Sequence, residues 1–315
     1  MHEEVSRSWW IAVARLTAFV TCAGLATSRI GLVVHEIVGH GGAAVAMGGT
    51  VTDVQLFWFA GGWIRFDAPG GELVIALGGI AVESIVGLAL WIGLARRSSL
   101  GGRIARAIGA ALVLHATWYL ATGTWHGFGD GAQLHRELGD AKWLVAIPAA
   151  LVTVAAGYAG ARWVLGALAA TVPGGRRRQI GGTVIALVVA GGLQLAAALG
   201  EVRLRRDPTY AQTMRREPER MAVRELAQWT EQQTRAGEVP TEQAREAMQR
   251  NLAQRHAQFP FAIVLAILTV LAVGAGAVRT RAVPAAAIAT GLLSRCAVVC
   301  GGSIALVIAI DTVFH

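Results

Sequence analysis

Long apolar runs separated by short polar segments dominate the pattern of this chain. We expect membrane-spanning helices at about residues 9–28, 30–48, 72–95, 104–124, 143–169, 180–199, 260–278 and 284–312. Runs of about 20 apolar residues are long enough to cross a bilayer as helices. They lack the alternation of polar and apolar residues that marks barrel strands. The pattern therefore predicts an all-α polytopic membrane protein with roughly eight transmembrane helices.

Two segments depart from this pattern. Val51–Phe66 alternates in polarity, is rich in aromatic and β-branched residues and is bounded by glycines, which predicts a small β-hairpin; an interfacial loop is the alternative. Residues 201–258 are polar and rich in Arg, Glu and Gln. Gly237 and Pro240 separate two helical patterns there, and Thr241 is a suitable N-cap. We expect an extramembrane helical hairpin in this segment.

The composition agrees with a membrane protein. The chain has 315 residues, of which 54% are hydrophobic and 15% charged, and its mean hydropathy is +0.51. The net charge of +8 comes from arginines in short loops between apolar runs, as topology rules require. We therefore expect the lipid bilayer, and not nucleic acid, as the partner. The three cysteines lie in apolar segments and predict no disulfide framework.

The stretch from His35 to His40 carries the strongest chemical signal. It reads His-Glu-Ile-Val-Gly-His within an otherwise apolar run. Burying an ionisable side chain within the membrane costs free energy, so such residues usually have a function. Two histidines on one helix with a glutamate beside the first are typical of a hydrolytic zinc site, in which the imidazoles bind Zn²⁺ and Glu36 activates water. The alternative is that both histidines are buried polar residues that connect helices.

The spacing of the two histidines imposes a condition on the backbone. They lie five residues apart, which leaves their side chains about 140° apart around a regular α-helix. A π-bulge would align them, and Gly39 is a residue at which the backbone deforms easily. The spelling His-Glu-x-x-Gly-His is similar to the zinc motif of dipeptidyl peptidase III, in which one extra residue is tolerated.

A catalytic zinc takes three protein ligands and leaves one position for water. The residues leave the third ligand open, and the candidates are His115, His126, Asp130, His135, Asp140 and Glu83. Glu83 lies in the middle of a predicted span on one stripe with Gly79 and Gly87, which predicts a face in contact with another helix. We expect Glu83 to form a buried ion pair with Arg15, Arg29 or one of the histidines.

The order of these features resembles the site-2 proteases, which are intramembrane zinc metalloproteases. A metal-motif helix is followed by Gly-Gly-Thr-Val-Thr-Asp-Val, a glycine-rich hairpin, a span with small residues and an Asp-Gly pair between later spans. The resemblance covers about residues 29–140. It implies that Asp130 of Asp130-Gly131 is the third zinc ligand. The Asn and Pro that commonly precede this Asp in the family are replaced here by other residues.

The sequence thus divides into a metal-site membrane core at residues 1–142, further transmembrane helices at 143–200, the extramembrane hairpin at 201–259 and C-terminal transmembrane helices at 260–315. We expect a zinc-dependent intramembrane endopeptidase of membrane-protein substrates, located in a bacterial inner membrane. The hairpin would hold an unwound substrate strand by edge pairing. The alternative function is a non-catalytic membrane subunit with a structural histidine or metal site, and a transporter is a third.

Overall fold

The computed structural model describes residues 2–94, 100–279 and 287–314, most of which are helical. Within these ranges, six helical segments are long and apolar enough to cross a membrane: Ser8–Ala46, Glu72–Gly93, Gly131–Ala169, Arg176–Arg205, Phe261–Val278 and Thr290–Phe314. Only 11% to 39% of the residues in their apolar windows are buried, so most of these side chains face outward, as lipid contact requires. The chain is an all-α integral membrane protein, and the predicted number of eight spans is not confirmed.

The first segment differs from the prediction. Helix α1, His2–Val33, continues without interruption into a π-helical segment, Val34–Gly41, and a short helix α2, Gly42–Ala46. The prediction of two separate helices at about 9–28 and 30–48 is therefore wrong. The polar residues between these ranges do not end the helix.

The hydrogen bonds of the polar residues explain why the helix continues through them. The Thr27 hydroxyl donates to the carbonyl of Ala23 within the same helix, at 2.7 Å. The Arg29 guanidinium is buried and donates to the carbonyls of Phe57 and Phe59 in the following hairpin. Because these polar groups find partners without a loop, they need not leave the helix.

The β-hairpin is confirmed. Strand β1, Thr50–Leu56, pairs in antiparallel fashion with β2, Gly62–Asp67, and places Val54 opposite Ile64. Val54 is fully buried and packs in one apolar cluster with Ile64 and Val307. The alternation seen in the sequence therefore reflects one face of the hairpin that packs against helices.

Four α-helices follow the hairpin, and a short 3₁₀-helical turn connects the last two of them. They are α3, Glu72–Gly93; α4, Leu100–His126; α5, Gly131–Leu138; the turn Gly139–Lys142; and α6, Trp143–Ala169. Helix α3 packs against both the π-helical segment and α4. Side chains at Gly39 and Gly87 would collide with the backbones of Gly79 and Gly109, respectively. The glycine stripe of α3 therefore faces neighbouring helices, as predicted, and permits close backbone contacts.

The remainder of the described chain is helical. It comprises α7, Arg176–Arg205; α8, Pro208–Met214; α9, Glu217–Arg235; α10, Glu242–Arg255; α11, Phe261–Val278; and α12, Thr290–Phe314. Helix α7 continues past the end of its predicted span at 199, and the short helix α8 was not predicted. Residues 284–286 of the last predicted span lie outside the described residues.

The predicted helical hairpin corresponds to α9 and α10, which pack against each other. Between them Gly237 has a φ of +82°, a conformation that favours glycine. The Thr241 side chain caps α10 by accepting a hydrogen bond from the backbone N–H of Ala244, at 3.3 Å. Both features confirm the sequence interpretation.

Candidate metal centre

The π-helical segment brings the two histidines of the motif together. Hydrogen bonds between residues five apart widen the helical turn, so that side chains at this spacing lie on one face. The Nε2 atoms of His35 and His40 are 3.3 Å apart, and the ring planes are nearly perpendicular, at 80°. Both residues are buried. The backbone deformation predicted from the five-residue spacing is therefore present.

The third group is the carboxylate of Asp130, from the turn between α4 and α5. Its Oδ2 atom lies 2.9 Å from Nε2 of His35 and 3.3 Å from Nε2 of His40. Among the described residues, these three side chains form the group of possible ligands that could hold one metal ion. Of the candidates that the residue types left open, Asp130 is the one that lies beside both histidines in the described part of the chain.

Glycines on both sides of Asp130 set the position of its carboxylate. Gly127 and Gly129 have φ angles of +70° and +52°, which other residues adopt only with difficulty. A side chain on Gly131 would collide with the backbone of Gly123, so the second residue of the Asp-Gly pair must be glycine for α5 to approach α4. The backbone N–H of Gly129 donates to the carbonyl of Thr213 in α8, at 3.1 Å.

The outer nitrogens of both imidazoles have their own acceptors. Nδ1 of His40 lies 2.6 Å from the backbone carbonyl oxygen of Ile75, and Nδ1 of His35 lies 3.1 Å from Oε2 of Glu83. A carbonyl or carboxylate oxygen can only accept, so each Nδ1 carries the hydrogen. In the neutral imidazoles, both Nε2 lone pairs then point toward Asp130. Metal-binding histidines typically have such outer partners.

Nε2 of His35, Nε2 of His40 and Oδ2 of Asp130 face one another, and we call them the inner atoms. Their separations fit a metal ion. Three electron-pair donors separated by only 2.9–3.3 Å repel one another unless a proton or a metal ion lies among them. Ligand atoms at about 2.0–2.1 Å from a tetrahedral zinc are about 3.3–3.4 Å apart, which is close to the observed separations. Gly79 faces this group, and a Cβ atom there would lie 2.6 Å from both Nε2 atoms. The space beside the histidines therefore exists because residue 79 has no side chain.

Glu83 has partners that were predicted for it, and they are histidines and not arginines. Glu83 is buried, and its two oxygens contact His35 and His115 at 3.1 Å and 2.9 Å. Arg15 instead donates to the hydroxyl of Thr290, at 2.7 Å. Glu83 and His115 therefore lie beyond the three inner groups and do not join them.

The other candidate ligands lie elsewhere. His126 contacts the side chain of Gln258 at 2.9 Å and connects the end of α4 with the start of α11. His135 contacts the carbonyl of Thr124 at 2.9 Å. Asp140 is exposed in the turn before α6. None of these three belongs to the group formed by the described residues.

Glu36 is the acidic residue next to the first histidine. It is buried, and none of the described residues forms a hydrogen bond or ion pair with its carboxylate. It nevertheless lies close enough to interact electrostatically with His35, His40 and Asp130. A carboxylate in this position, without a structural partner, is available to act on a bound molecule.

Tyr119 of α4 is a residue at this site that the sequence analysis did not single out. Its ring lies edge-on to His35, with centroids 6.0 Å apart, and stacks on His115 at 6.1 Å. Its phenol oxygen lies beside the turn that carries Asp130, where a Cβ atom on Gly129 would collide with it. A single tyrosine in an apolar span gives no pattern that distinguishes it from a packing residue, so sequence reasoning had no signal for it.

A cavity of about 1040 Å³ opens onto the site. Small and apolar residues of α1, α4 and α6 make up most of its wall. At the site end its lining includes Glu36, His35 and His115, and the tip of the β-hairpin and α8 border it. A molecule that enters this cavity reaches Glu36 from an apolar environment.

The hairpin tip is fixed by a buried carboxylate that is distant in sequence. Glu201 of α7 accepts hydrogen bonds from the backbone N–H groups of Trp58 and Phe59, at 2.7 Å and 2.6 Å, and its carboxylate also pairs with Arg205 at 3.0 Å. Beside the tip, Tyr210 of α8 packs edge-on against the ring of Phe57. Burial raises the pKa of the Tyr210 phenol.

Comparisons with protein-family models, with curated proteins and with solved structures gave no match for this chain. The arrangement of side chains therefore carries the functional argument. Two imidazoles and a carboxylate converge, a second carboxylate lies beside them, and an apolar cavity leads to both.

Proposed function

We propose that this protein is a zinc-dependent intramembrane endopeptidase similar to the site-2 proteases, with His35, His40 and Asp130 as metal ligands. The observation that carries the proposal is the convergence of these side chains within 3.3 Å through a π-helical turn. Two imidazoles and one carboxylate are a ligand set typical of hydrolytic zinc sites, which leave a position open for water.

The residues around the ligands fit this chemistry. A zinc ion bound here would supply a Lewis acid for a carbonyl group and lower the pKa of water toward neutrality. Glu36 would take the proton from the attacking water and deliver it to the leaving amine, as a general base and then a general acid. Its carboxylate is free of structural partners among the described residues, which this role requires.

The cavity supports a substrate that is itself apolar. Its wall is mostly apolar and it leads to Glu36 and His35, so a polar substrate would lose hydration without compensation on entry. We propose the transmembrane segment of another membrane protein, opened locally at the scissile bond. Residues 59–62, at the hairpin tip and the start of β2, border the cavity, where they could hold the opened segment. A bacterial inner membrane remains the predicted location.

A non-catalytic subunit would place different demands on the same residues. A subunit whose histidines are structural and bind no metal would need no deformation of the helix, and its acidic residue would serve best in an ion pair. Here the helix is deformed so that the imidazoles converge, and Glu36 lacks such a pair among the described residues. Both features favour the hydrolytic function.

Metal analysis of the purified protein tests the ligand assignment. We expect one zinc per chain in the wild type and in Glu36→Gln, because Glu36 is not a ligand, and loss or strong weakening in Asp130→Ala. Asp140→Ala is the matched control, since it removes an exposed carboxylate ten residues away and should retain zinc. Equal zinc content in the Asp130 and Asp140 variants would refute the assignment.

The hydrolytic activity needs a test that does not presuppose a substrate. Cells that produce the wild type or Glu36→Gln can be compared by mass spectrometry of protein N-termini in the membrane fraction. We expect new N-termini inside apolar segments in cells with the wild type but not in cells with the variant. Identical N-termini, with zinc bound in both proteins, would favour the non-catalytic subunit.

A further inference from the structure

A chain of hydrogen bonds runs from the cavity to the candidate metal site. His115 of α4 contacts Oε1 of Glu83 through Nδ1, at 2.9 Å. The other oxygen of Glu83 contacts Nδ1 of His35, at 3.1 Å, and Nε2 of His35 is one of the inner atoms. Three helical elements, α4, α3 and the π-helical segment, are connected in this way.

The directions of these hydrogen bonds follow from the groups involved. A carboxylate only accepts, so both imidazoles donate to Glu83 through Nδ1–H. Because His35 donates through Nδ1–H, the lone pair of its Nε2 is directed at Asp130 and Nε2 of His40. Donation by His115 occupies Oε1 of Glu83, whose side chain is only 3% exposed. Each carboxylate oxygen thus has one donor, and the carboxylate has a single satisfied orientation.

His115 differs from Glu83 in its surroundings. Its side chain is 65% exposed and contributes to the lining of the cavity, so it is not needed to fill the protein core. Its ring stacks on Tyr119 with an angle of 7° between the planes, which restricts the tilt of the ring, and the contact of Nδ1 with Glu83 sets which edge of the ring faces that carboxylate. An exposed histidine in an apolar helix has no packing role that a smaller apolar residue could not fill.

We propose that His115 is a positioning residue of the metal site. It fixes the orientation of Glu83, and Glu83 in turn keeps His35 in the tautomer and orientation required for binding the metal. The inference rests on the metal site of the proposed function but not on hydrolysis. Without His115, Oε1 of Glu83 would lack a donor in a buried position, and the carboxylate would turn toward other donors or water. His35 would then lose its fixed orientation, and the metal would dissociate faster.

Three variants of α4 test this inference. His115→Ala removes the donor, whereas His115→Asn keeps an N–H at the position of Nδ1. Thr117→Ala is the control, because Thr117 accepts an interhelical hydrogen bond from Thr153 at 2.9 Å and does not contact Glu83. The proteins are loaded with Co²⁺, and metal release to excess chelator is followed by the d–d absorption spectrum of the bound ion.

Outer partners of metal ligands typically contribute 10–100-fold to metal affinity. We expect His115→Ala to release Co²⁺ faster by about 10-fold, the lower end of that range, because His115 acts through one further hydrogen bond. Its spectrum should also change, since the spectrum reports the ligand geometry. His115→Asn should restore both properties, and Thr117→Ala should resemble the wild type. Thermal unfolding without metal should be similar for His115→Ala and His115→Asn.

Several outcomes would overturn the proposal. It fails if His115→Ala releases Co²⁺ at the wild-type rate with an unchanged spectrum, or if Thr117→Ala has the same effect as His115→Ala. A merely structural role would give an altered unfolding temperature with an unaltered spectrum. If the wild type binds no Co²⁺, the metal site and this inference both fail. If the metal results are as expected but no proteolysis is found, only the proposed hydrolytic function fails.

Discussion

The substitution Gly79→Ala gives a direct test of the space beside the two histidines. A Cβ atom at residue 79 would lie 2.6 Å from Nε2 of both His35 and His40. Ordinary contacts of a Cβ atom begin at about 3.4 Å, so each nitrogen or helix α3 would have to move by about 0.8 Å. Metal–ligand distances vary by only about 0.2 Å in well-formed sites. The methyl group is therefore too large for the two imidazoles to keep a common metal ion.

We expect Gly79→Ala to weaken zinc binding by about 10–100-fold, the range found when a metal ligand loses its outer hydrogen-bond partner. This corresponds to about 1.4–2.7 kcal/mol of binding free energy. The affinity can be measured for the detergent-solubilised protein by competition with a chelating indicator. Alanine favours a helix more than glycine does, by about 1 kcal/mol, so helix formation itself is not impaired.

Gly93→Ala is the matched control. Gly93 is the last residue of the same helix, and a Cβ atom there would have no other atom within 4 Å. This variant should bind zinc as the wild type does. If Gly79→Ala binds zinc with unchanged affinity, the ion does not lie between the two Nε2 atoms, and the proposed ligand geometry is wrong.

Three further predictions concern the Asp-Gly pair, the hairpin tip and the cap of α10. Gly131→Ala should weaken zinc binding by about 10–100-fold, because a methyl group collides with the backbone of Gly123 and displaces Asp130; retained affinity would contradict the role of the Asp-Gly pair. Glu201→Ala should lower the free energy of unfolding by about 3 kcal/mol, since the backbone N–H groups of Trp58 and Phe59 lose their acceptor while Arg205 keeps its pair with Asp311. Unchanged thermal unfolding would disprove this. Thr241→Ala should cost about 1 kcal/mol through loss of the N-cap, whereas zinc binding should not change.

The sequence predicts the local deformation of the metal-motif helix because spacing is a local property. Histidines five residues apart cannot share a metal on a regular α-helix, and a π-helical turn is the direct solution. The reason for Gly39 is not local, however. The sequence suggests backbone deformability, whereas the structure shows that a side chain there would collide with Gly79 of α3. The spacing along this helix does not show which residue of another helix Gly39 will contact.

The third ligand and the outer partners show the same limit. The residue types leave six candidates for the third ligand, and only the order of motifs favours Asp130. The partner of His40 is the backbone carbonyl of Ile75, which any residue could provide. The contact of Glu201 with the hairpin tip joins residues more than 140 positions apart. Such pairings depend on the arrangement of helices and not on local pattern.

The arrangement of the site also explains why glycines, and not the ligands alone, should determine its function. In lipid, apolar side chains do not drive helices together as they do in water, so close backbone contact becomes decisive. The contact of Gly39 with Gly79 holds the π-helical segment, which carries His35 and His40, against α3. The contact of Gly131 with Gly123 holds the start of α5, next to Asp130, against α4. A larger residue at either contact would displace the ligands although none of the ligand residues is itself substituted. Loss of metal in such variants would therefore show that the backbone contacts assemble the site.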